Sequence, residues 1–386
     1  MNMNSARTVI VGAGLSGLYA AFLLEQKGIK DYVILEARRD LGGRILSMPI
    51  SGLNGSEPPQ GINPINSFDL GPSWFWPDFQ RQLDRLVLDL GLERYEQYEA
   101  GNMVIEQSSD RAPIATPGYV SSPTSMRLVG GMKALINALH QRLSQQRILT
   151  GQTVKSLCRV DQFVEVHCED ESGQASRWAA EHVLLAVPPR LATNSIEFHP
   201  PLPDHVSSLW KAAATWMAPH AKYFAIYEKP FWHEQGLSGQ GRSRVGPMVE
   251  IHDASIPGGS AALFGFLGVP PLTRRSIPED QLRALCRAQL IRMFGEQARL
   301  PAAEFFKDWA LDPFVATDAD LVGAAAHAAA PMATIETGPW SGWVNGIASE
   351  WSPQFPGYVA GAIEAASRGI QTITTSLRRQ RNNSPT

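Results

Sequence analysis

The 386-residue chain predicts an α/β protein with an α+β insertion, and three observations lead there. It opens on a short apolar strand, a glycine-rich turn, an apolar helix and a second strand. Strand–helix alternation returns at the C-terminal end. The middle instead mixes strands and single helices, as a mixed or antiparallel sheet requires. The composition fits, with 44% hydrophobic and 18% charged residues, an ordinary globular profile that excludes a disordered chain or coiled coil. A net charge of −3 gives no basic field to gather nucleic acid or an anionic membrane. Three cysteines, Cys158, Cys168 and Cys286, form neither a C-x-x-C pair nor a disulfide framework and fit a reducing compartment. No signal-peptide pattern or membrane-length apolar run is present, so a cytoplasmic location without a membrane anchor is expected.

In chain order, Val9-Ile10-Val11 forms the first strand and Gly12-Ala-Gly14-Leu15-Ser16-Gly17 the turn. Leu15, Leu18, Phe22 and Leu23 keep one helical face until Gly28, and Tyr32–Leu35 is the next strand, closing on Glu36. Residues 47–66 read as a surface loop. Asp78 is placed to cap a helix carrying Phe79, Leu83, Leu86, Val87 and Leu90, stopped by Gly91. After Gly130-Gly131, Met132 to Leu143 mark another helix. His182–Val187 is a buried strand halted by Pro188-Pro189, and Lys222–Tyr227 alternates as a strand. The Gly- and Ser-rich run 236–260 reads as loop. Leu282 to Phe294 and the residues after Gly357 supply the last helical faces.

G-x-G-x-x-G alone is a weak signal, but here it follows a strand and opens a helix, and Glu36 lies 19 residues beyond Gly17. Gly12 permits the turn, Gly14 the approach of a pyrophosphate, and Gly17 close helix–sheet packing, while Glu36 accepts bonds from a ribose. The pattern is that of a Rossmann-like dinucleotide-binding unit. Ala37, Arg38, Gly42, Gly43 and Arg44 follow at once, and a guanidinium between glycines suits an extended dinucleotide such as FAD. The competing reading of Arg38 and Arg44 is a solvated helix-end charge.

From these residues onward the chain resembles the flavin-dependent amine oxidases of the monoamine and polyamine oxidase type. The start is similar to that family's E-A-R-x-x-x-G-G-R block. Asp69-Leu-Gly71-Pro72-Ser73-Trp74 resembles its D-L-G-G-x-Y/W segment, and Gly130-Gly131-Met132 its turn before a helix. Thr153-Val154-Lys155 resembles the family's strand edge whose backbone meets adenine. Ala186-Val187-Pro188-Pro189 resembles A-V/I-P-P. Ser349-Glu350, then Gly357-Tyr358-Val359, resemble the family's C-terminal motifs, with Ala348 and Ser349 departing from Gly and Thr.

The resemblance implies a Rossmann-like FAD-binding domain (residues 1–76, 127–195 and 335–386) interleaved with a mixed-sheet substrate domain (77–126 and 196–334). It implies oxidation of an amine C–N bond by hydride transfer to flavin N5, with O2 as acceptor and hydrogen peroxide as product. Lys222 is the catalytic candidate, on the strand whose lysine holds a water beside the flavin; a lysine reaching for solvent is the alternative. Tyr358 is one wall of an aromatic cage, or a tyrosine packed on the core. Trp74 stands where related amino-acid oxidases place an arginine for a carboxylate, and reads as a cavity wall or a buried hydrophobe. The second cage wall should fall in 324–330, which offers only alanines and His327, so either His327 substitutes, Trp340 or Trp343 reaches in, or there is no two-sided cage. That stretch holds no cysteine, so the FAD is expected to be non-covalent. The other candidate cavity residues, His220 and Lys229, read as solvated. The expected partners are a small-molecule amine and O2, with no nucleic acid and no metal; a homodimer stays open. Two other functions stay open as well, a flavin-dependent desaturase or dehydrogenase of a lipophilic or alkaloid-like substrate, and a non-catalytic flavin-binding module.

Overall fold

The computed structural model describes residues 3–49, 67–322 and 329–383, with side chains through residue 375. The expected α/β architecture is present as two large sheets. The first orders its strands Glu197–His199, Gln152–Val160, Phe163–Asp170, Ala175–Leu185, Asn4–Val11, Tyr32–Leu35 and Ile148–Leu149, and Val344–Gly346 also pairs with Ala175–Leu185. The pairing is parallel at its centre, with Val9 opposite both Val183 and Val33. The hairpin extension from Gln152 to Leu185 is antiparallel. Parallel strands must be covered on both faces, which is why Val9, Ile10, Val33 and Ile34 read as unbroken apolar runs.

One face of this sheet is closed by the helices Leu15–Gln26, Lys133–His140 and Val359–Asn383. The other buries Trp210, Trp340 and Trp351. The helix Arg81–Asp89 joins the first of these layers through Leu83, Leu86 and Val87. It starts later than its sequence suggests. Gln80, whose Oε1 accepts from the Trp76 amide, stands at its N-terminus in place of Asp78, and Phe79 is left exposed. Trp210→Ala should destabilise the protein by about 3–5 kcal/mol in a denaturant titration, because the ring is fully buried edge-on to Trp351.

The second sheet orders Ala303–Asp308, Ala221–Tyr227, Ala261–Leu267, Met248–Asp253, Leu237–Ser243, Asn102–Glu106 and Ile114–Pro117. Two of these strands, Leu237–Ser243 and Met248–Asp253, replace most of the loop expected across 236–260. Their small and polar residues suggest a turn-rich segment, but burial decides otherwise. The Ser238 hydroxyl donates to the Asn102 carbonyl, Gln240 Nε2 to the Tyr119 carbonyl and the Ser243 hydroxyl to Glu106, so these buried polar groups are satisfied. Ala221–Tyr227 is buried at every position rather than alternating, because Glu279–Phe294 covers one face and Phe68 and Leu70 approach the other. Among the described residues no helix is long and apolar enough to cross a membrane.

Candidate active site

A cavity of about 780 Å³ runs from the C-terminal ends of the parallel strands to the face of the second sheet. At the first end, the strand Asn4–Val11 delivers Gly12, and the helix beginning at Leu15 has neither a capping side chain nor an acidic residue in its first turn. Its free N–H groups and partial positive charge are therefore available to an anion. Gly17 allows the crossing, since a Cβ there would stand 2.0 Å from the Gly12 carbonyl oxygen. The Gly42 amide donates to the Ala13 carbonyl at 3.0 Å, so the second glycine pair is stitched to the first turn. Glu36 is buried, and its carboxylate accepts from the amides of Ala13 (2.6 Å) and Arg38 (2.9 Å), which fixes it at the cavity edge.

Around this end the structure brings together Gly12, Gly14, Leu15, Ser16, Glu36, Ala37, Arg38, Gly42, Gly43 and Arg44 as lining residues. Gly71, Pro72, Ser73, Val154, Ala186, Val187, Pro188, Ser349, Gly357, Tyr358 and Val359 line it as well. Two expected residues stand behind the wall. Gly17 packs on Gly12, and Glu350 is buried in a bidentate pair with Arg44, whose Nη2 also donates to Ser349 at 3.2 Å. Arg38 pairs with Asp312 and lies 5.1 Å from the Phe314 ring centre. Burial works against the Asp312 carboxylate, but Lys307 and Arg38 outweigh it and hold its pKa below the usual range.

Lys222 dominates the other end. It is buried, and its Nζ donates to the carbonyls of Gly71 (2.6 Å) and Asp69 (3.2 Å) and to the Ser73 hydroxyl (3.0 Å). It also sits 4.6 Å from the Phe264 ring centre and 5.0 Å from that of Phe266. Burial is the main force on this amine and brings its pKa down to about 7, although the Asp69 carboxylate pulls the other way. Strand register puts Lys222 opposite Phe266, and Phe266 opposite Glu250, so all three form one row across adjacent strands and line the cavity. Burial alone would raise the Glu250 carboxyl, but bonds from His252 and Arg242 bring it to about 2. Burial also keeps His252 below the usual imidazole range.

Trp74 lines the cavity with its ring 5.5 Å from Phe264 and 4.9 Å from His252, while its Nε1 donates to Gln97 at 2.7 Å. Neither Trp340 nor Trp343 reaches in. Trp340 is buried against Phe198 with its indole donating to the Pro200 carbonyl, and Trp343 is stacked under Arg159. His327 lies outside the described residues. Two further aromatics line the cavity near Tyr358: Trp76, whose ring stands edge-on to it at 6.2 Å, and Trp216, which the sequence did not single out. Its side chain comes so near Gly357 that a Cβ there would stand 2.6 Å from the Trp216 Cβ. That close approach is the one signal, and it is tertiary.

His220 also lines the cavity rather than facing solvent, and burial lowers its pKa. Lys229 is exposed and pairs with Glu234, as expected. Arg274, another lining residue missed in the sequence, is held by both Asp308 oxygens at 2.7 Å. Removing one partner of a buried pair strands the other, so Arg274→Ala should destabilise by about 3–5 kcal/mol on denaturant unfolding.

These residues fit FAD. An uncapped helix N-terminus faces two stitched glycine turns, a fixed carboxylate stands where a ribose would bind, and the cavity continues to a buried lysine. No cysteine lines that cavity among the described residues.

Comparison with known proteins agrees. The family model described as flavin containing amine oxidoreductase matches residues 94–371, and that of an NAD(P)-binding Rossmann-like domain matches residues 10–90. The Dictyostelium discoideum protein named "Probable flavin-containing monoamine oxidase A" is 25% identical over 263 residues, covering 65% of this chain and 54% of that one. The chain thus spans about half the length of that relative. Putrescine oxidase of Kocuria rosea is 24% identical over 406 residues, covering 78% of this chain and 81% of its own. Cyclohexylamine oxidase from Brevibacterium oxydans superposes with a TM-score of 0.76 at 18% identity, over 97% of this chain and 99% of that structure, which shows a shared fold. The first family model takes in well over half of the sequence, and the chain belongs to the flavin-containing amine oxidoreductases.

Proposed function

We propose that the protein oxidises a C–N bond of an apolar amine, with O2 as the final acceptor. The observation that carries this reading is one continuous cavity with the Glu36 dinucleotide end at one side and Lys222 among aromatic rings at the other. Bound FAD supplies the acceptor for two electrons. Residues 1–76, 127–195 and 335–386 form its unit, and 77–126 with 196–334 the substrate unit, although the helix Arg81–Asp89 packs with the former. Gly12, Gly14 and the helix after them would hold the pyrophosphate, and Glu36 the ribose.

Trp74, Trp216, Phe266 and Tyr358 give the substrate end apolar walls, and the Glu250 carboxylate that also lines it is neutralised by Arg242, which together favour the neutral amine over ammonium. Only the neutral amine has the lone pair that forms the C=N bond as the α-hydrogen leaves with its electron pair. The resulting imine adds water to give a carbonyl compound and a smaller amine or ammonia. Two electrons and two protons pass to O2 to give hydrogen peroxide. Lys222 places a cation where negative charge develops on the way to O2. A peroxide assay over aliphatic, aromatic and polyamine substrates tests this, and the absence of peroxide with every class would remove the oxidase reading. Tyr358→Ala should raise KM about tenfold with a smaller change in kcat, because the ring contributes binding surface rather than chemistry.

The wall also favours amines over amino acids. Among the described residues no arginine lining the substrate end is unpaired, since Arg274 is neutralised by Asp308, and Trp74 cannot bind a carboxylate.

A further inference from the structure

At the Glu36 end of the cavity, a segment that follows the second sheet meets the first. The strand Ala303–Asp308 runs into the single turn Trp309–Leu311, and beyond it Phe314 and Val315 line the cavity. This segment is anchored. Trp309 is buried, with its Nε1 donating to the Leu70 carbonyl at 3.0 Å, and Val315 is buried in the same cluster. Asp312 then ties the segment to the dinucleotide unit. Its carboxylate accepts from the Arg38 guanidinium, from Lys307 Nζ at 2.9 Å and from the Phe314 amide at 3.1 Å. Arg38 is fixed from its other side as well, since Glu36 accepts from its amide at 2.9 Å. The Arg38 guanidinium carbon lies 5.1 Å from the Phe314 ring centre, and both residues line the cavity.

Packing accounts for Trp309 and Val315 but not for Phe314. Its ring is 38% exposed on a turn that is otherwise braced, so it is not a core residue. Arg38 gives its charge to Asp312, which leaves a planar group rather than a free cation to a ligand. An aromatic ring and a guanidinium side by side, next to the carboxylate that suits a ribose, form a surface on which a purine stacks well. We propose that Phe314 and Arg38, braced by Asp312, are the seat of the adenosine end of FAD. Val154 lines the cavity from the strand Gln152–Val160 of the first sheet, so the purine would have both sheets' segments around it. The seat is also built into the frame that carries Lys222, because Lys307, which braces Asp312, stands opposite Lys222 in the neighbouring strand. FAD would thus be gripped at its far end by the substrate unit as well as by the dinucleotide unit.

The test is a binding competition in the full-length protein after its flavin is removed, with FAD binding read by flavin fluorescence and ADP as the competitor. ADP carries the adenosine and the pyrophosphate without the flavin. Phe314→Ala should raise the dissociation constants of FAD and ADP together, each by about tenfold, within the usual range for one base–aromatic stack. Phe314→Tyr keeps the ring and should stay near wild type. Phe314→Leu keeps apolar bulk without a flat face and should fall between the two. Asp312→Asn loosens the brace and should weaken both ligands less than Phe314→Ala does. If that variant fails to fold, the Phe314 series carries the test, because its ring is partly exposed. Unchanged affinities in Phe314→Ala overturn the proposal. So does a loss confined to FAD, which would put the ring against the flavin instead. No amine is added, so this failure is separate from a failure of amine oxidation.

Discussion

Lys222→Met should leave the protein folded and its flavin bound, yet slow flavin reoxidation by O2 about 10²- to 10³-fold in stopped-flow measurements. That range is the usual loss when one preorganised charge or donor is removed from where charge develops. Folding should survive because methionine keeps most of the volume and the aromatic contacts with Phe264 and Phe266, and because an ammonium is costly to bury. The Gly71 carbonyl and the Ser73 hydroxyl lose a donor, which offsets part of that gain. The reductive step with amine should change less than the oxidative one. Equal slowing of both would place Lys222 in substrate positioning instead.

Gly17→Val should yield protein that purifies without its visible flavin band. A side chain at this position meets the Gly12 carbonyl carbon at 3.2 Å and the Ala186 Cβ at 3.3 Å, beyond its first clash with the carbonyl oxygen. The helix must then move off the sheet, and its N-terminus moves with it. Overpacking of this kind costs about 1–3 kcal/mol or more, equivalent to roughly 10²-fold in the FAD dissociation constant. Flavin absorbance relative to protein absorbance after reconstitution reads the effect directly. A fully loaded, stable Gly17→Val protein would contradict the packing argument.

The dinucleotide end was the most legible part of this site, because it is built from contiguous backbone. Gly12, Gly14, Glu36 and the glycines at 42 and 43 lie within about thirty residues, and local rules decide their conformation. Lys222 could be singled out by the resemblance of its strand. Its burial and its three donated bonds could not, since its acceptors come from residues 69–73.

The substrate wall was the least legible. Glu250 lies in a segment whose glycines and serines argue for a loop, and only pairing with Ala261–Leu267 and Leu237–Ser243 makes it a strand. Trp216 belongs to no periodic pattern, and its position follows from contact with Gly357, 141 residues away in the chain. Helix starts failed for a related reason. Asp78 is a good capping residue, but a Gln80 side chain already bonded to the Trp76 amide takes the place at the helix start.

The central claim is that this cavity lets an amine pass two electrons to a bound flavin. The most direct measurement is an anaerobic titration of the FAD-bound protein with aliphatic, aromatic and polyamine substrates, following the visible flavin band. The account predicts that at least one amine with an apolar body bleaches the band, and that readmitted air restores it with one equivalent of hydrogen peroxide. A flavin that dithionite bleaches but none of these amines does would contradict it.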